Sequence, residues 1–226
     1  MGLEILYEDE HLLAVSKPAG MLVVPSTTTP ASETLLEKAK RHVGNRVWAL
    51  HRLDRDTSGV VLFGKTPEAC RTFHHQFEKR TIEKTYEAIV AGTVSRQQGV
   101  ITLPIAKKRW GKGRIRRGGE SARTEYRVKE YCVPVTWLEV CPKTGRMHQI
   151  RIHLAAIGHP LAFDPLYHKD SPWKWLSQVP LHAHSVTFDR PVTGERQTIH
   201  APLPKEFKEA LQRFRRVHLL SFSQFW

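Results

Sequence analysis

Short apolar or alternating segments, separated by polar turns and by glycine or proline, recur along the chain and predict β-strands. We expect strands over residues 4–7, 12–16, 47–50, 59–64, 85–90, 124–132 and 135–141. A Lys-Pro-Ala-Gly sequence at residues 17–20 ends the second of them. The beginning of the chain is therefore expected to be rich in strands.

Four other segments repeat apolar residues at helical spacing. We expect the first helix to be capped by Ser32 and to end at Gly44, and the second to be capped by Thr66. The third spans residues 148–157, and the fourth opens at Pro204. Because the helices are interspersed irregularly among the strands, the pattern predicts an α+β fold with a mostly antiparallel sheet and flanking helices.

Length and composition favour a single domain over residues 1–226. The hydrophobic fraction is 40%, and a chain of this length can build a core without disulfides or a structural metal. The three cysteines lack the spacing of a zinc or redox site, which favours a reducing cytosol. We find no segment typical of a membrane span or signal peptide. We expect a cytoplasmic monomer, with an aromatic end at residues 219–226 that docks on the protein.

The charge indicates a polyanionic partner. The chain carries 35 Lys and Arg against 22 Asp and Glu, a formal net charge of +13, which favours RNA over a membrane surface. Residues 107–117 contain seven cations, no acid, two glycines and Trp110, on which a base could stack. We interpret this segment as a mobile RNA-binding loop, and a solvated surface loop is the alternative. Its cations are Lys107, Lys108, Arg109, Lys112, Arg114, Arg116 and Arg117.

Residues 59–66 match the G-x-x-x-x-G-K-[ST] pattern of a phosphate-binding loop. The four middle residues are bulky or β-branched, and a polar turn precedes them where that loop would need its strand. We therefore predict that residues 59–64 are a strand that leads into a helix capped by Thr66.

Two polar segments are candidates for chemistry. The turn at 51–59 holds two carboxylates, two guanidinium groups and two hydroxyls, which suits an active site or a structural turn network. In the third helix, Met147, Ile150, Leu154 and Ile157 fall on one arc, and Arg151 lies at its edge. A guanidinium near a buried face needs a partner, so we expect a partly buried carboxylate beside Arg151.

The turn resembles the signature of the RluA-type pseudouridine synthases, His51-Arg52-Leu53-Asp54-x-x-Thr57-Ser58-Gly59. Other segments resemble family positions in the same order: Lys17-Pro18-x-Gly20, Lys84-x-Tyr86, Thr144-Gly145-Arg146-x-His148-Gln149-Ile150-Arg151-x-His153, Gly158-His159-Pro160-Leu161, Leu181-His182-Ala183 and Ala201-Pro202-Leu203-Pro204. The resemblance covers nearly the whole chain, from Ile5 to about Phe207.

The resemblance implies isomerisation of uridine to pseudouridine in RNA, without cofactor or metal. It does not decide between transfer RNA and ribosomal RNA, and we expect transfer RNA slightly more because the compact chain has no appended module. It implies that Asp54 is the nucleophile, that Arg151 pairs with Asp54, and that Tyr86 lies against the target uracil. The target uridine would be flipped out of its stack, and Arg52 would fill the vacated space or hold the flipped nucleotide. Further substrate-binding residues are expected at Thr57, Arg146, His148 and Gln149.

One departure from the family pattern concerns residues 162–164. Family members commonly have Gly-Asp after the Gly-His-Pro segment, whereas this chain has Ala162-Phe163-Asp164. The backbone there is expected to differ. The alternative function is a non-catalytic RNA-binding or chaperone protein that retains the fold.

Overall fold

The computed structural model describes residues 2–27, 29–44, 46–106 and 112–223, with the backbone alone for 218–223. The predicted docking of the aromatic end therefore lies outside the described side chains. The described strands are β1 (Glu4–Glu8), β2 (Leu12–Lys17), β3 (Trp48–Ala49), β4 (Ser58–Gly64), β5 (Glu83–Ala91), β6 (Gln98–Ile101), β7 (Ile105–Ala106), β8 (Arg114–Ile115), β9 (Thr124–Cys132), β10 (Val135–Pro142), β11 (Leu181–Asp189) and β12 (Arg196–His200). The α-helices are α1 (Leu35–Val43), α2 (Pro67–Lys79), α3 (Gln149–Ala156) and α4 (Lys205–Ser223).

The chain divides into two compact units. The first comprises Met1–Lys84 and Ala183–Pro202, and the second comprises Thr85–His182 and Leu203–Trp226. In the first unit the strand order is β1-β2-β4-β11, with β3 paired to β4 and β12 paired to β11. Phe73 of α2 packs against Phe188 of β11, with 5.0 Å between ring centroids.

In the second unit the strand order is β5-β10-β9-β6, and β7 and β8 form a separate two-stranded hairpin. Ile150 and Leu154 of α3 are buried in the core formed with β5 and β10. Phe207 and Phe214 of α4 are buried in another cluster of the same unit. All pairings with a described register are antiparallel, which confirms the predicted α+β class.

The helix caps follow the sequence with one exception. Thr66 caps α2 as predicted, because its hydroxyl accepts a backbone N–H at 3.2 Å. The prediction of Ser32 as the cap of α1 is wrong: Ser32 lies inside a short 3₁₀ helix, Ala31–Glu33. Thr34 caps α1 instead, and its hydroxyl accepts the N–H of Glu37 at 3.4 Å.

The phosphate-loop pattern lies in β4, as predicted. Every residue of Ser58–Gly64 is buried, and β4 pairs with β2 over six positions. Met147, in contrast, does not lie on the apolar face of the third helix. It is 38% exposed, because α3 begins only at Gln149.

Candidate active site

The turn at residues 51–58 connects β3 to β4 in the first unit. Leu53 and Thr57 are buried, Asp54 is partly buried, and Arg52 is exposed. The N–H of Thr57 donates to the carbonyl of Asp54 at 3.2 Å and closes the turn. The structure thus brings Arg52, Asp54 and Thr57 together in one turn, in which Thr57 is a buried structural residue and Arg52 faces solvent.

Lys17 anchors this turn. Its side chain is fully buried, and its ammonium group donates to the carbonyl oxygens of Pro18, Met21 and Arg55 at 2.9, 2.8 and 2.9 Å. The backbone N–H of Gly20 also donates to the Arg55 carbonyl, at 2.8 Å. Burial lowers the pKa of Lys17 to about 7, against the opposing effect of nearby acidic side chains. Since a neutral amine has only two N–H groups, all three hydrogen bonds require the charged form.

His51 fixes the start of the turn. Its Nε2 accepts the backbone N–H of Leu62 at 3.1 Å, and its ring lies 5.8 Å from that of Phe77 between centroids. Burial, together with the charge of Lys84, lowers the pKa of His51 to about 3. The ring is therefore neutral at physiological pH and serves as a hydrogen-bond acceptor.

Gly59 lets the end of the turn approach β11. Its φ is +118°, and a Cβ there would lie 2.1 Å from the carbonyl oxygen of Ala183. This close approach excludes any side chain, so the glycine of the signature has a steric reason. Sequence reasoning missed the roles of Lys17 and Gly59. For Lys17, a lysine directly after a buried strand was the available signal.

Arg151 and Asp164 form a buried ion pair in the second unit. Arg151 Nε donates to Asp164 Oδ2 at 2.7 Å, and Nη2 donates to Oδ1 at 2.8 Å. The side chains are 2% and 0% exposed. Burial acts to raise the pKa of Asp164, but the hydrogen bonds and charge of Arg151 outweigh it, and the pKa lies below its ordinary value.

This pair confirms that Arg151 has a buried carboxylate partner. The partner is Asp164, which the sequence analysis noted only because residues 162–164 depart from the family pattern. Asp164 Oδ1 also accepts the N–H groups of Leu166 and Tyr167, at 2.9 and 3.1 Å. Asp164 therefore fixes the loop that follows it as well as Arg151, while the pairing of Arg151 with Asp54 stays a prediction.

Gln149 holds the loop before α3 and is not placed to bind RNA. Its Nε2 donates to the carbonyl of Arg123 and the hydroxyl of Thr124, both at 3.0 Å. Its Oε1 accepts the hydroxyl of Thr144 at 2.7 Å and the N–H of Arg146 at 3.0 Å. The side chain is buried and its hydrogen-bonding capacity is used within the protein, which corrects the predicted role.

The other predicted residues of the second unit are distributed around α3 and β5. Tyr86 lies on β5 opposite Val140 and is partly buried. Arg146 donates to the carbonyl of Ser121 at 3.2 Å. His148, the N-cap of α3, has a left-handed backbone with φ of +55°, and its Nδ1 lies 3.0 Å from the hydroxyl of Tyr167.

The basic segment is only partly described. Lys107, Lys108, Arg109 and Trp110 lie outside the described residues. Lys112, Arg114, Arg116 and Arg117 are exposed. Because Arg114 belongs to β8, which pairs with β7, the described end of this segment is a hairpin strand and turn instead of the mobile loop expected throughout.

Comparison with known proteins identifies the class. Residues 11–156 match the family described as RNA pseudouridylate synthase. The chain is 36% identical, over 98% of its length and 68% of the relative's, to the ribosomal large subunit pseudouridine synthase D of Nitrosomonas europaea. It is 34% identical to the ribosomal large subunit pseudouridine synthase C of Escherichia coli (strain K12), covering 93% of this chain and 70% of that relative.

A solved structure supports the same assignment. The human RNA pseudouridylate synthase domain containing 4 superposes with a TM-score of 0.76 at 26% identity, covering 94% of this chain and 93% of that one. These likenesses define an enzyme that isomerises uridine in RNA. The chain belongs to the RNA pseudouridine synthase family, in its RluA-type branch. Among the described helices, none combines the length and apolar character needed to cross a membrane.

Proposed function

We propose that Asp54 is the nucleophile in the isomerisation of uridine to pseudouridine, with Arg151 and Tyr86 as the other catalytic residues. The observation that carries this proposal is the anchored turn: Asp54 lies next to Arg55, whose carbonyl is bound by the buried ammonium of Lys17 at 2.9 Å. A nucleophile benefits from such a fixed backbone, because little ordering remains for the reaction to require. The motif position of Asp54 supports the same choice.

The proposed reaction conserves all atoms of the nucleotide. The glycosidic bond from N1 of uracil breaks, the base turns, and a carbon-carbon bond forms from C5 to the ribose. C5 then loses its proton and N1 gains one, so that the product is an isomer of uridine. The carboxylate of Asp54 forms a transient covalent bond, either to the ribose or to carbon 6 of the base, and that bond breaks before the product leaves. The alternative is that Asp54 first removes a ribose proton, which is returned later. Tyr86 lies against the uracil and serves in the late proton removal. Arg151 keeps Asp54 ionised.

The substrate is proposed to be ribosomal RNA of the large subunit. The two relatives compared above carry that substrate in their names, which favours it over the transfer RNA preferred on sequence grounds. The target uridine is expected to be flipped out of its stack, with exposed Arg52 holding the flipped nucleotide or filling its place. We also propose that the enzyme is cytoplasmic and monomeric and that residues 1–226 act as one catalytic domain.

The test compares two neighbouring carboxylates. Asp54→Asn should fold, bind large-subunit ribosomal RNA transcribed in vitro, and form no pseudouridine. Asp56→Asn is the matched control, since Asp56 occupies a variable position of the same turn, and it should retain activity. Pseudouridine mapping of total RNA from cells with and without the protein identifies the modified position. Near wild-type turnover by Asp54→Asn would refute Asp54 as nucleophile, and an unchanged map would favour the non-catalytic alternative.

A further inference from the structure

Tyr167 lies beside the Arg151–Asp164 pair. Its backbone N–H donates to Asp164 Oδ1 at 3.1 Å, the same carboxylate that binds Arg151. The guanidinium carbon of Arg151 is 5.3 Å from the centroid of the Tyr167 ring, within the range of a cation–π interaction. The position of the ring is thus tied to the proposed catalytic arginine.

Tyr167 also contacts the described end of the basic segment. Its hydroxyl donates to the carbonyl of Gly113 at 3.3 Å, and the ammonium of Lys112 lies 5.1 Å from the ring centroid. The hydroxyl also lies 3.0 Å from the Nδ1 of His148, the N-cap of α3. One side chain therefore contacts both the basic segment and the start of α3.

The hairpin itself is seated on α3. Ile105 of β7 is buried with Ile152 of α3, and Tyr167 packs against the same cluster. At Gly113 a Cβ would lie 2.8 Å from Cδ1 of Ile152, so the chain entering β8 runs close against the helix that carries Arg151. The described part of the basic segment is therefore packed against α3 at Gly113, independently of any contact that its charged side chains make with RNA.

We propose that Tyr167 is a positioning residue that fixes the β7–β8 hairpin, which carries the described end of the basic segment, relative to Arg151. RNA phosphates bound near Lys112 are thereby held at a defined position relative to the catalytic arginine. The hydroxyl fixes the hairpin through Gly113, and the ring, which has the cations of Lys112 and Arg151 within 5.1 and 5.3 Å of its centroid, fixes Arg151. This inference rests on the proposed function of Arg151. Its hydroxyl and ring make separable contributions, which two substitutions can resolve.

Tyr167→Phe keeps the ring and removes the hydroxyl, whereas Tyr167→Leu removes both. With large-subunit ribosomal RNA transcribed in vitro, Tyr167→Phe should weaken binding and make the slope of log K against log salt shallower by up to about 0.9, the share of one phosphate contact. Its single-turnover rate at saturating RNA should fall as well, but less than that of Tyr167→Leu, because the ring that contacts Arg151 is kept. Tyr167→Leu should show the same binding defect and, in addition, a rate lowered about ten-fold because the ring no longer positions Arg151.

Tyr131→Phe is the matched control. Its hydroxyl also donates to a backbone carbonyl in the second unit, that of Val94 at 3.1 Å, yet its removal should leave the salt slope unchanged. A wild-type salt slope in Tyr167→Phe, or equal losses of thermal stability and rate in both Tyr167 variants without any change of slope, overturns the inference. If the wild-type protein forms no pseudouridine, the proposed function fails, while the binding data still decide whether Tyr167 sets the hairpin.

Discussion

The turn at residues 51–58 and the segment at 144–167 are held by different kinds of bond. In the turn, side chains hold the backbone: Lys17 binds the carbonyl of Arg55, and His51 accepts the N–H of Leu62. In the second segment, side chains also hold other side chains, as Asp164 does by binding Nε and Nη2 of Arg151. The first arrangement fixes the course of the chain, and the second fixes a functional group itself.

This difference suits what each region is proposed to contribute. A carboxylate that must form and break a covalent bond needs a fixed backbone, and an anchor that binds backbone carbonyls supplies one without binding the carboxylate. Burial of a guanidinium without a carboxylate partner would be costly, and the pairing through Nε and Nη2 uses only two of its five N–H groups. In both regions the anchor is a buried charge outside the element it fixes, so removing the anchors tests the comparison.

The largest effect is expected from breaking the Arg151–Asp164 pair. Asp164→Asn leaves a buried guanidinium without its counter-charge, which should cost about 3–5 kcal/mol of unfolding free energy and most of the activity. The double variant Arg151→Met with Asp164→Asn should recover much of that stability but no activity, because no buried charge remains and an amide oxygen can still accept the N–H groups of Leu166 and Tyr167. Denaturant unfolding and pseudouridine formation measure the two outcomes.

Asp170→Asn is the control for this pair, since Asp170 is an exposed carboxylate just beyond the segment. It should change neither stability nor rate. Recovery of activity in the double variant would show that Arg151 has no catalytic part, and a fully stable Asp164→Asn would show that the pair is not the anchor of this region.

A smaller effect is expected from Lys17→Met. The substitution removes the Lys17 donor from the carbonyls of Pro18, Met21 and Arg55, of which Arg55 keeps the N–H of Gly20, at a cost of about 2–3 kcal/mol. The loss is smaller than for Asp164→Asn because burial of the Lys17 ammonium is itself unfavourable, as its lowered pKa of about 7 indicates. The turn should lose its fixed course, so the rate should fall while RNA affinity changes little. Lys79→Met, at an exposed site on α2, should match wild type in both, and equal behaviour of the two variants would remove Lys17 as the anchor.

The elements that the sequence predicts most accurately are those whose signals lie within a few neighbouring residues. Thr66 followed by Pro67 predicts the start of α2, and the bulky residues between Gly59 and Gly64 predict β4. Both predictions succeed because helix capping and strand propensity depend on a few neighbouring residues. Ser32 and Thr34 are both good caps, and only the 3₁₀ turn that contains Ser32 decides between them. The strands β7 and β8 have two residues each, too few to show a period.

The same limit applies to the candidate site, where the motif residues could be predicted from the sequence and their anchors could not. The family resemblance proposes Asp54 and Arg151, but the anchors are separated in sequence from the residues they fix: Lys17 precedes Arg55 by 38 residues, and Asp164 follows Arg151 by 13. Spacing along one element cannot predict such contacts. Gln149 failed for the complementary reason, since a polar residue within a motif carries no sign of whether it faces solvent or is satisfied internally.

A further prediction concerns pH and compares the histidines of the two regions. An unfolded His51 has its ordinary pKa of about 6.5, whereas burial lowers the folded pKa to about 3. Below about pH 6.5 His51 binds a proton in the unfolded chain but not in the folded chain. The free energy of unfolding therefore decreases as the pH falls from about 6.5 towards 3. From pH 7 to pH 5 this group should account for about 1–2 kcal/mol.

His51→Gln should flatten that acid slope, as measured by denaturant unfolding at several pH values. His153 in the second unit contributes in the same direction, because burial lowers its pKa against the opposing hydrogen bond to Leu103, so part of the slope should remain. His75→Gln, at an exposed position of α2, should leave the slope as it is. An unchanged slope in His51→Gln contradicts the neutral, accepting role of this ring.

The smallest effect on stability is expected in the basic segment, whose described charges are exposed and, unlike Lys17 and Asp164, anchor no buried group. Replacing Lys112, Arg114, Arg116 and Arg117 with Ser should change the unfolding free energy by less than about 0.5 kcal/mol, because these side chains are exposed. It should nevertheless weaken RNA binding, most of all at low salt, and make the slope of log K against log salt shallower by about 0.7–0.9 for each phosphate that the variant no longer neutralises.

The matched variant replaces Arg41, Arg46, Arg71 and Lys79, exposed cations of the first unit, with Ser. Each variant removes four charges from +13 and leaves +9, so any difference between them reports position and not net charge. Filter binding of large-subunit ribosomal RNA across a salt series measures both. Equal slopes would mean that the segment at 112–117 acts only through the overall charge of the protein, whereas a loss confined to the first variant assigns the phosphate contacts to the hairpin seated on α3.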